Sequence, residues 1–349
     1  MKMNNNHLII MAGGVGSRFW PMSTPEVPKQ FIDVLGVGKS LLQLTVERFS
    51  GVIPADHVWV VTSKDYKELV KAQVPGIRDE QVLLEPCRRN TAPCIAYVTC
   101  KIKKKYPGAN LVFSPADHLV LDTGKFREVI TRGLEFTASS NAIVTLGMEP
   151  DRPETGYGYI KGEGNRNVAI RKVQAFKEKP ELAVAKSYLA EGGYYWNSGI
   201  FIWNENTVIS EFEQHAPDLA AKFSGLSDVY FTCREQEVID REFFDCRNIS
   251  IDYAIMEKSA NTYVYPASFG WSDLGTWGSL YTLLDKDREG NAVIGNAVKL
   301  VDCKNCVVHT PGERKVVVQG LEGYIVAEHG DTLLVCKKEM EQQIKEWQI

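Results

Sequence analysis

The most constraining stretch lies near the start, where the apolar run Leu8-Ile-Ile-Met11 breaks into Gly13, Gly14 and Gly16. Four apolar residues without polar alternation read as a strand buried on both faces, the kind found in parallel sheets. Glycines directly after such a strand let the backbone turn through positive φ and aim several N–H groups at one point, a nest for an anion. Arg18 and Lys29 follow close behind, two cations suited to phosphate. The same glycines also serve in a strand-to-helix turn that binds nothing, so alone they do not decide.

The chain beyond repeats the strand-then-helix pattern. Ser40 can cap a helix carrying Leu42, Val46 and Phe49 on one face. Val58 to Val61, Val82 to Leu84, Leu111 to Phe113 and Ala142 to Leu146 read as buried strands. Helical patterns at Tyr66 to Val74, around Ile95 and Ile102, and at Phe126 to Thr137 alternate with them. This predicts an α/β fold, Rossmann-like, with a mostly parallel sheet and helices on both faces. Past Pro150 the alternation loosens into strands at Gly156 to Ile160 and Val168 to Phe176, helices after Pro180 and Asn206, and a loop into strand at Tyr194 to Trp203. That second half is expected to close over the open edge of the sheet. From about Asn291 short β-rich runs alternate with Gly and Asp turns, and Glu339 to Trp347 suggests a short helix. The expected division is 1–285 for a catalytic domain and 286–349 for a small β-rich domain.

Bulk properties narrow the function. A net charge of −4 and a pI near 6.0 argue against a nucleic-acid partner. No apolar run approaches the ~20 residues of a membrane span. The opening Met1-Lys-Met-Asn-Asn-Asn-His7 lacks an apolar signal core, so a cytoplasmic protein is expected. Its 8 cysteines then read as reduced thiols. Cys303-x-x-Cys306 has zinc-knuckle or redox spacing, but no second pair follows to complete a four-ligand site.

Two familiar glycine loops fail on inspection. A dinucleotide fingerprint needs a third glycine where Phe19 stands, which also removes a dehydrogenase reading. A Walker loop needs Gly-Lys-Ser/Thr, absent here. Instead, Gly13-Gly-Val-Gly-Ser-Arg-Phe-Trp-Pro21 with Pro28-Lys-Gln-Phe31 resembles the signature of sugar-1-phosphate nucleotidyltransferases. The Phe19-Trp20-Pro21 and Ser23-Thr24-Pro25 variants are similar to those of members acting on GTP and mannose 1-phosphate. Five motifs occur in the family's order over residues 8 to 335.

The resemblance implies roles residue by residue. Ser114-Pro-Ala-Asp-His118 and Trp271-Ser-Asp-Leu-Gly-Thr276 match the motifs that supply the metal-binding carboxylates, here Asp117 and Asp273, for Mg²⁺ or another divalent cation. From the residues alone an N-cap role stays open for each aspartate. His118 reads as an orienting residue rather than a ligand. Arg18, Lys29, Asp117 and Asp273 are the expected catalytic set. Ala12, Gly13, Gly14, Gly16, Ser17, Arg18, Lys29 and Asp117 are expected at the nucleotide. Glu85, Pro86, Asn90 and Thr91 line the family's base pocket, and Glu85 can accept from guanine N1–H and the exocyclic amine together. Gly156, Tyr157, Glu178, Lys179 and Asn197 are implied at the sugar phosphate. Adjacent strand residues point to opposite faces, so the strand must break near Pro180 for both Glu178 and Lys179 to serve.

These assignments imply guanylyl transfer to mannose 1-phosphate by in-line attack without a covalent intermediate. A homodimer acting on small molecules is expected. Longer family members carry a carboxy-terminal isomerase module; the chain's length gives no room for one, no isomerase activity is expected, and the small β-rich tail resembles the left-handed β-helix fragment of the single-function members. The alternatives are the same chemistry on another sugar or base, or a non-catalytic regulatory subunit.

Overall fold

The computed structural model describes residues 5–164 and 168–348. Met1 to Asn4, read above for an export signal, and Ile349 lie outside them. Strands β1 (Asn6–Met11), β2 (Val58–Ser63), β3 (Val82–Glu85) and β4 (Asn110–Pro115) precede the two-residue β5 (Leu119–Val120). Then come β6 (Ile143–Met148), β7 (Tyr159–Gly162), β8 (Arg171–Lys177), β9 (Tyr194–Asn204), β10 (Thr262–Ala267) and the two-residue β11 (Trp271–Ser272). The helices among them are α1 (Leu41–Arg48), α2 (Lys67–Gln73), α3 (Thr91–Lys105), α4 (Thr123–Ala138), α5 (Leu182–Glu191), α6 (Glu205–His215), α7 (Pro217–Ser224), α8 (Glu235–Phe244) and α9 (Trp277–Leu283).

Packing divides the chain into two compact units that interleave in sequence. The first comprises residues 1–13, 46–115 and 120–271. Its sheet runs β3-β2-β1-β4-β9-β6-β10-β8-β7. The strands from the first half pair in parallel, Leu8 beside Val58 and Val112, and Val60 beside Val82. Strand β9 departs from the expectation of a flap over the sheet's edge. It enters the middle, antiparallel to both β4 and β6. The reason lies in its composition: Ile200, Phe201, Ile202 and Trp203 are all buried, and such a continuous apolar run needs cover on both faces. Trp59, Phe113, Phe201, Trp203, Tyr97 and Phe223 form the core of this unit. The sequence pattern did not indicate α7 and α8, which pack Phe223 and Phe243 against Tyr97.

The second unit comprises residues 14–45, 116–119 and 272–349. It contains β12 (Ala292–Ile294), β13 (Val298–Val301), β14 (Val307–His309), β15 (Val316–Gln319), β16 (Tyr324–His329) and β17 (Thr332–Lys337). Ala292 stacks on Val307 and Val307 on Ile325, while Val298 stacks on Val316, all in parallel register. That is the pattern of a β-helix, with β17 folding back antiparallel on β16. Its interior is shared. Phe19, Met22 and Leu41 lie in one core with Leu274, Trp277, Val307 and Ile325. Trp277 donates its indole N–H to the Trp20 carbonyl at 3.3 Å. The β-rich tail is therefore the packing partner of the glycine loop.

Candidate active site

In the second unit the loop turns at Gly16, whose φ of +68° is left-handed. A Cβ there would stand 2.6 Å from Lys29 Cβ, so glycine is required twice over. Gly14 has open space around it, and its carbonyl accepts from Gln30 at 2.9 Å. Ser23 Oγ donates to the Val15 carbonyl at 2.6 Å, and the Ser17 carbonyl accepts from Gln348 at 2.8 Å. Arg18 is exposed and makes no ion pair among the described residues.

Lys29 is buried, and its ammonium is committed. It donates to Asp117 Oδ2 at 2.9 Å, to the Asp273 carbonyl at 2.9 Å and to the Leu274 carbonyl at 2.8 Å. Three partners exhaust its three hydrogens. Asp117 and Asp273, distant in sequence, are thus tied to one cation. Burial alone would raise the Asp117 carboxyl, but the Lys29 ammonium and then His118, 3.9 Å away, hold it below the usual range. Asp273 Oδ1 accepts the Gly275 N–H at 3.0 Å, and Leu274 takes a left-handed φ of +46° between them. Among the described residues no cluster of three or more His, Cys, Asp and Glu could hold a metal. A hard cation here would draw its remaining oxygens from water, backbone or a bound phosphate.

The first unit holds two further clusters. Glu85 ends β3 close to Gly13, whose added Cβ would lie 3.8 Å from Glu85 Oε2. Its other oxygen, Oε1, is sealed from solvent and has no hydrogen-bond partner. Burial pushes this carboxyl up to about 7, although the Cys94 thiol hydrogen-bonded to it acts in the opposite sense. The flanking residues are tied to the scaffold. Asn90, at φ +66°, accepts the Thr91 N–H at 2.9 Å as the α3 cap, and Thr91 Oγ1 accepts the Ile251 N–H at 2.9 Å. The Ala12 N–H is spent on the Val61 carbonyl at 2.8 Å. Pro86 is half-buried beside Glu85.

The third cluster brings Glu178, Lys179 and Asn197 together around Gly158, with Tyr157 against Trp196, whereas Gly156 lies before β7 beside Glu154. Strand β8 ends at Lys177, and Lys179 takes a left-handed φ of +44°. The break brings the two neighbours together: Lys179 Nζ donates to Glu178 Oε1 at 2.7 Å. A Cβ on Gly158 would sit 2.5 Å from Glu178 Oε2 and 3.3 Å from Asn197 Cβ, so this glycine lets backbone approach both. Gly156 donates its N–H to Glu154 at 3.0 Å, and Tyr157 stands edge-on to Trp196 and Trp271. Gly156 and Tyr157 precede β7, which starts only at Tyr159, later than the alternation that suggested an earlier strand.

Three residues here escaped the motif reading. Asn197 Nδ2 donates to Asp252 Oδ1 at 2.9 Å, and Thr145 Oγ1 donates to Asn197 Oδ1 at 2.9 Å. Glu257 accepts the Glu178 N–H at 3.1 Å. A signal existed in Ser250-Ile-Asp-Tyr-Ala-Ile-Met-Glu257, where two acids interrupt an apolar stretch. Cys303 and Cys306 lie buried in the β-helix. The Cys303 thiol faces the Val301 and Val318 carbonyls, either of which can accept its one hydrogen, and the Cys306 thiol faces those of Lys304 and Leu321. No described helix is long and apolar enough to cross a membrane.

The chain matches the Nucleotidyl transferase family over residues 7–290 and the MannoseP isomerase/GMP-like β-helix domain over 295–347. It is 34% identical over 354 residues to the mannose-1-phosphate guanylyltransferase of Escherichia coli K12, covering 99% of this chain and 73% of that one. It is 37% identical over 346 residues to the xanthan biosynthesis protein XanB of Xanthomonas campestris pv. campestris, covering 97% and 71%. A crystal structure from Thermus thermophilus, described as a mannose-1-phosphate geranyltransferase, superposes with a TM-score of 0.89 at 32% identity over 98% of both chains. With its glycine loop after β1 and its β-helix tail, the chain belongs to the nucleotidyl transferase family.

Proposed function

We propose that the protein transfers GMP from GTP to α-D-mannose 1-phosphate, giving GDP-mannose and pyrophosphate. The relatives' named activity supports the reaction. The observation that carries the choice of base is the Glu85 carboxylate, whose Oε2 lies beside Gly13 while its Oε1 is buried without a hydrogen-bond partner. A buried acceptor without a donor costs free energy until a ligand supplies one. Guanine supplies two donors on adjacent atoms, and an ionised carboxylate accepts both. Adenine presents no such pair.

The sugar phosphate oxygen is already an anion, so no general base is needed; the work is positioning and charge neutralisation. The amides of Gly14 and Gly16 with exposed Arg18 receive the triphosphate and steady the departing pyrophosphate. Lys29 serves by holding Asp117 and the 273–274 backbone, because its hydrogens are already given away. Two carboxylates and little else suit a hard cation such as Mg²⁺, which completes its shell with phosphate oxygens. Asp117 and Asp273 would hold it, and it would neutralise charge between the two reacting anions. Lys179, with a side chain still 60% exposed, takes the sugar phosphate, while Glu178 and Asn197 take hydroxyls. The same reading makes the protein a cytoplasmic homodimer. The two family spans favour a catalytic portion over 1–285 and a β-rich portion over 286–349.

Pyrophosphate release tests this, crossing five nucleoside triphosphates with mannose, glucose and fucose 1-phosphates in Mg²⁺. Release confined to GTP with mannose 1-phosphate is the expected result. Release with another pair removes the specificity; no release from folded protein removes the enzyme reading.

A further inference from the structure

We infer that Asp252 is a positioning residue of the sugar cradle, holding the Asn197 amide in the one orientation that offers a donor to a sugar hydroxyl. The inference rests on the proposal that this cluster binds the sugar phosphate.

Which end of an amide is oxygen follows from its partners. One end of Asn197 receives the Gly199 backbone N–H at 3.1 Å, a group that can only donate. That end is the carbonyl, and Thr145 Oγ1 fills its second lone pair. The nitrogen end must then face an acceptor, and Asp252 Oδ1 is that acceptor at 2.9 Å. Oxygen saturated and one hydrogen spent, Asn197 keeps a single N–H with no partner among the described residues. It therefore addresses a sugar only as a donor.

Asp252 is itself fixed. It opens the π-helical turn Asp252–Met256, a local widening often found at functional sites. Glu257, just past the same turn, takes the Glu178 N–H at 3.1 Å. One short segment thus holds both hydroxyl-facing residues, Asn197 through Asp252 and Glu178 through Glu257. Burial and the nearby Glu178 carboxylate raise the Asp252 carboxyl well above its ordinary range, which agrees with an acid kept for its geometry. Mannose and glucose differ in configuration at one carbon, and a donor fixed at one point distinguishes such epimers.

The test compares Asp252→Ala, Asp252→Asn and Thr145→Val in steady-state kinetics, with melting curves to establish folding. Asp252→Ala is expected to raise KM for mannose 1-phosphate about tenfold or more and to lower the preference over glucose 1-phosphate. KM for GTP should stay within about twofold. Asp252→Asn keeps an acceptor oxygen and should restore most of the loss. If the alanine variant fails to fold, Thr145→Val, which removes the other restraint, must shift the sugar KM in the same direction. Unchanged sugar KM and preference, or equal rises in both KM values, would overturn the inference alone. A wild type that turns over no pair would overturn it together with the proposed function.

Discussion

The Lys29 cluster on one hand, and the Glu85 and Asn197 clusters on the other, treat their polar groups in opposite ways. Around Lys29 the protein answers its own charge: one buried ammonium is matched by a carboxylate and two carbonyls. Around Glu85 and Asn197 something is left over, a sealed carboxylate oxygen in one case and an amide N–H in the other. The first arrangement is complete before any ligand arrives, which is how fixed charges stabilise a reaction without reorganising. The second is completed by a ligand, which is how selectivity arises, because a wrong ligand leaves the group unsatisfied.

The sharpest way to break this contrast is to remove the answering charge. Lys29→Met leaves Asp117 and two carbonyls without their donor. Breaking a largely buried pair from one side costs ~3 kcal/mol or more of stability, seen as a lower denaturant midpoint. Asp117→Asn keeps an acceptor but leaves the buried ammonium without its counter-charge, so it should lower the midpoint by less than Lys29→Met and in addition lose ~3 kcal/mol of transition-state stabilisation, roughly a hundredfold in kcat. A Lys29→Met protein as stable as wild type would mean the cluster is not self-completed.

Glycines sharpen the contrast next. At Gly16, Ala must adopt φ +68° and place its Cβ 2.6 Å from Lys29 Cβ. Strain and overlap together should cost about 2 kcal/mol in urea unfolding. Gly14→Ala meets nothing within 4 Å and should stay within ~0.5 kcal/mol. Any loss of activity there comes through bound phosphate. Equal destabilisation at both positions would contradict the packing of the loop.

Much of this was legible in the chain because motifs are local. The glycine loop, Asp117 after β4, and Glu178-Lys179 before Pro180 all sit within a few residues of the element that aims them. Asp252 was not legible, since its partner Asn197 belongs to another element and only folding pairs them. The centre of the sheet was hidden for a related reason. An apolar run marks β9 as buried but does not say between which strands. The tail was legible as a β unit, but its packing was not. Periodicity shows β12 to β17 as a β unit, yet nothing local says that Phe19 and Trp277 share its core.

Among the ligand-completed clusters, pH is the probe. Glu85 titrates at about 7 in the free protein, above the ordinary carboxylate value. Guanine donors require the ionised form, so GTP affinity should be full above pH 7 and fall as pH drops through it. The slope should approach one proton, ~1.4 kcal/mol per unit. Glu85→Gln should flatten the profile and weaken preference over ATP, because an amide has one acceptor. Binding of guanosine, which lacks phosphates that titrate, isolates the effect by calorimetry. A wild-type profile flat from pH 5.5 to 8 would move base reading away from Glu85. For the apo protein the sign reverses. A raised folded value contributes stability at low pH that is lost as pH rises toward 7, so GTP should rescue most where the apo protein is weakest.

The smallest effect belongs to Cys303 and Cys306, a third case in which groups are answered, but weakly. Each thiol points into the β-helix with two carbonyls at 3.3–3.4 Å, and its single hydrogen can serve one of them at a time. A thiol is a weak donor, so those carbonyls gain little from it and lose little without it. Replacing each by Val, similar in size, should change stability by no more than ~1 kcal/mol. A zinc chelator should leave the melting temperature of the wild type where it was. The comparison matters because the spacing alone suggested a metal or redox pair. A structural metal would make the double Cys303→Val/Cys306→Val variant lose the β-helix, and with it the packing under Phe19. Retained melting and retained nucleotide binding in that variant would place the cysteines with the self-completed parts of the fold, held by hydrophobic stacking rather than by any ligand.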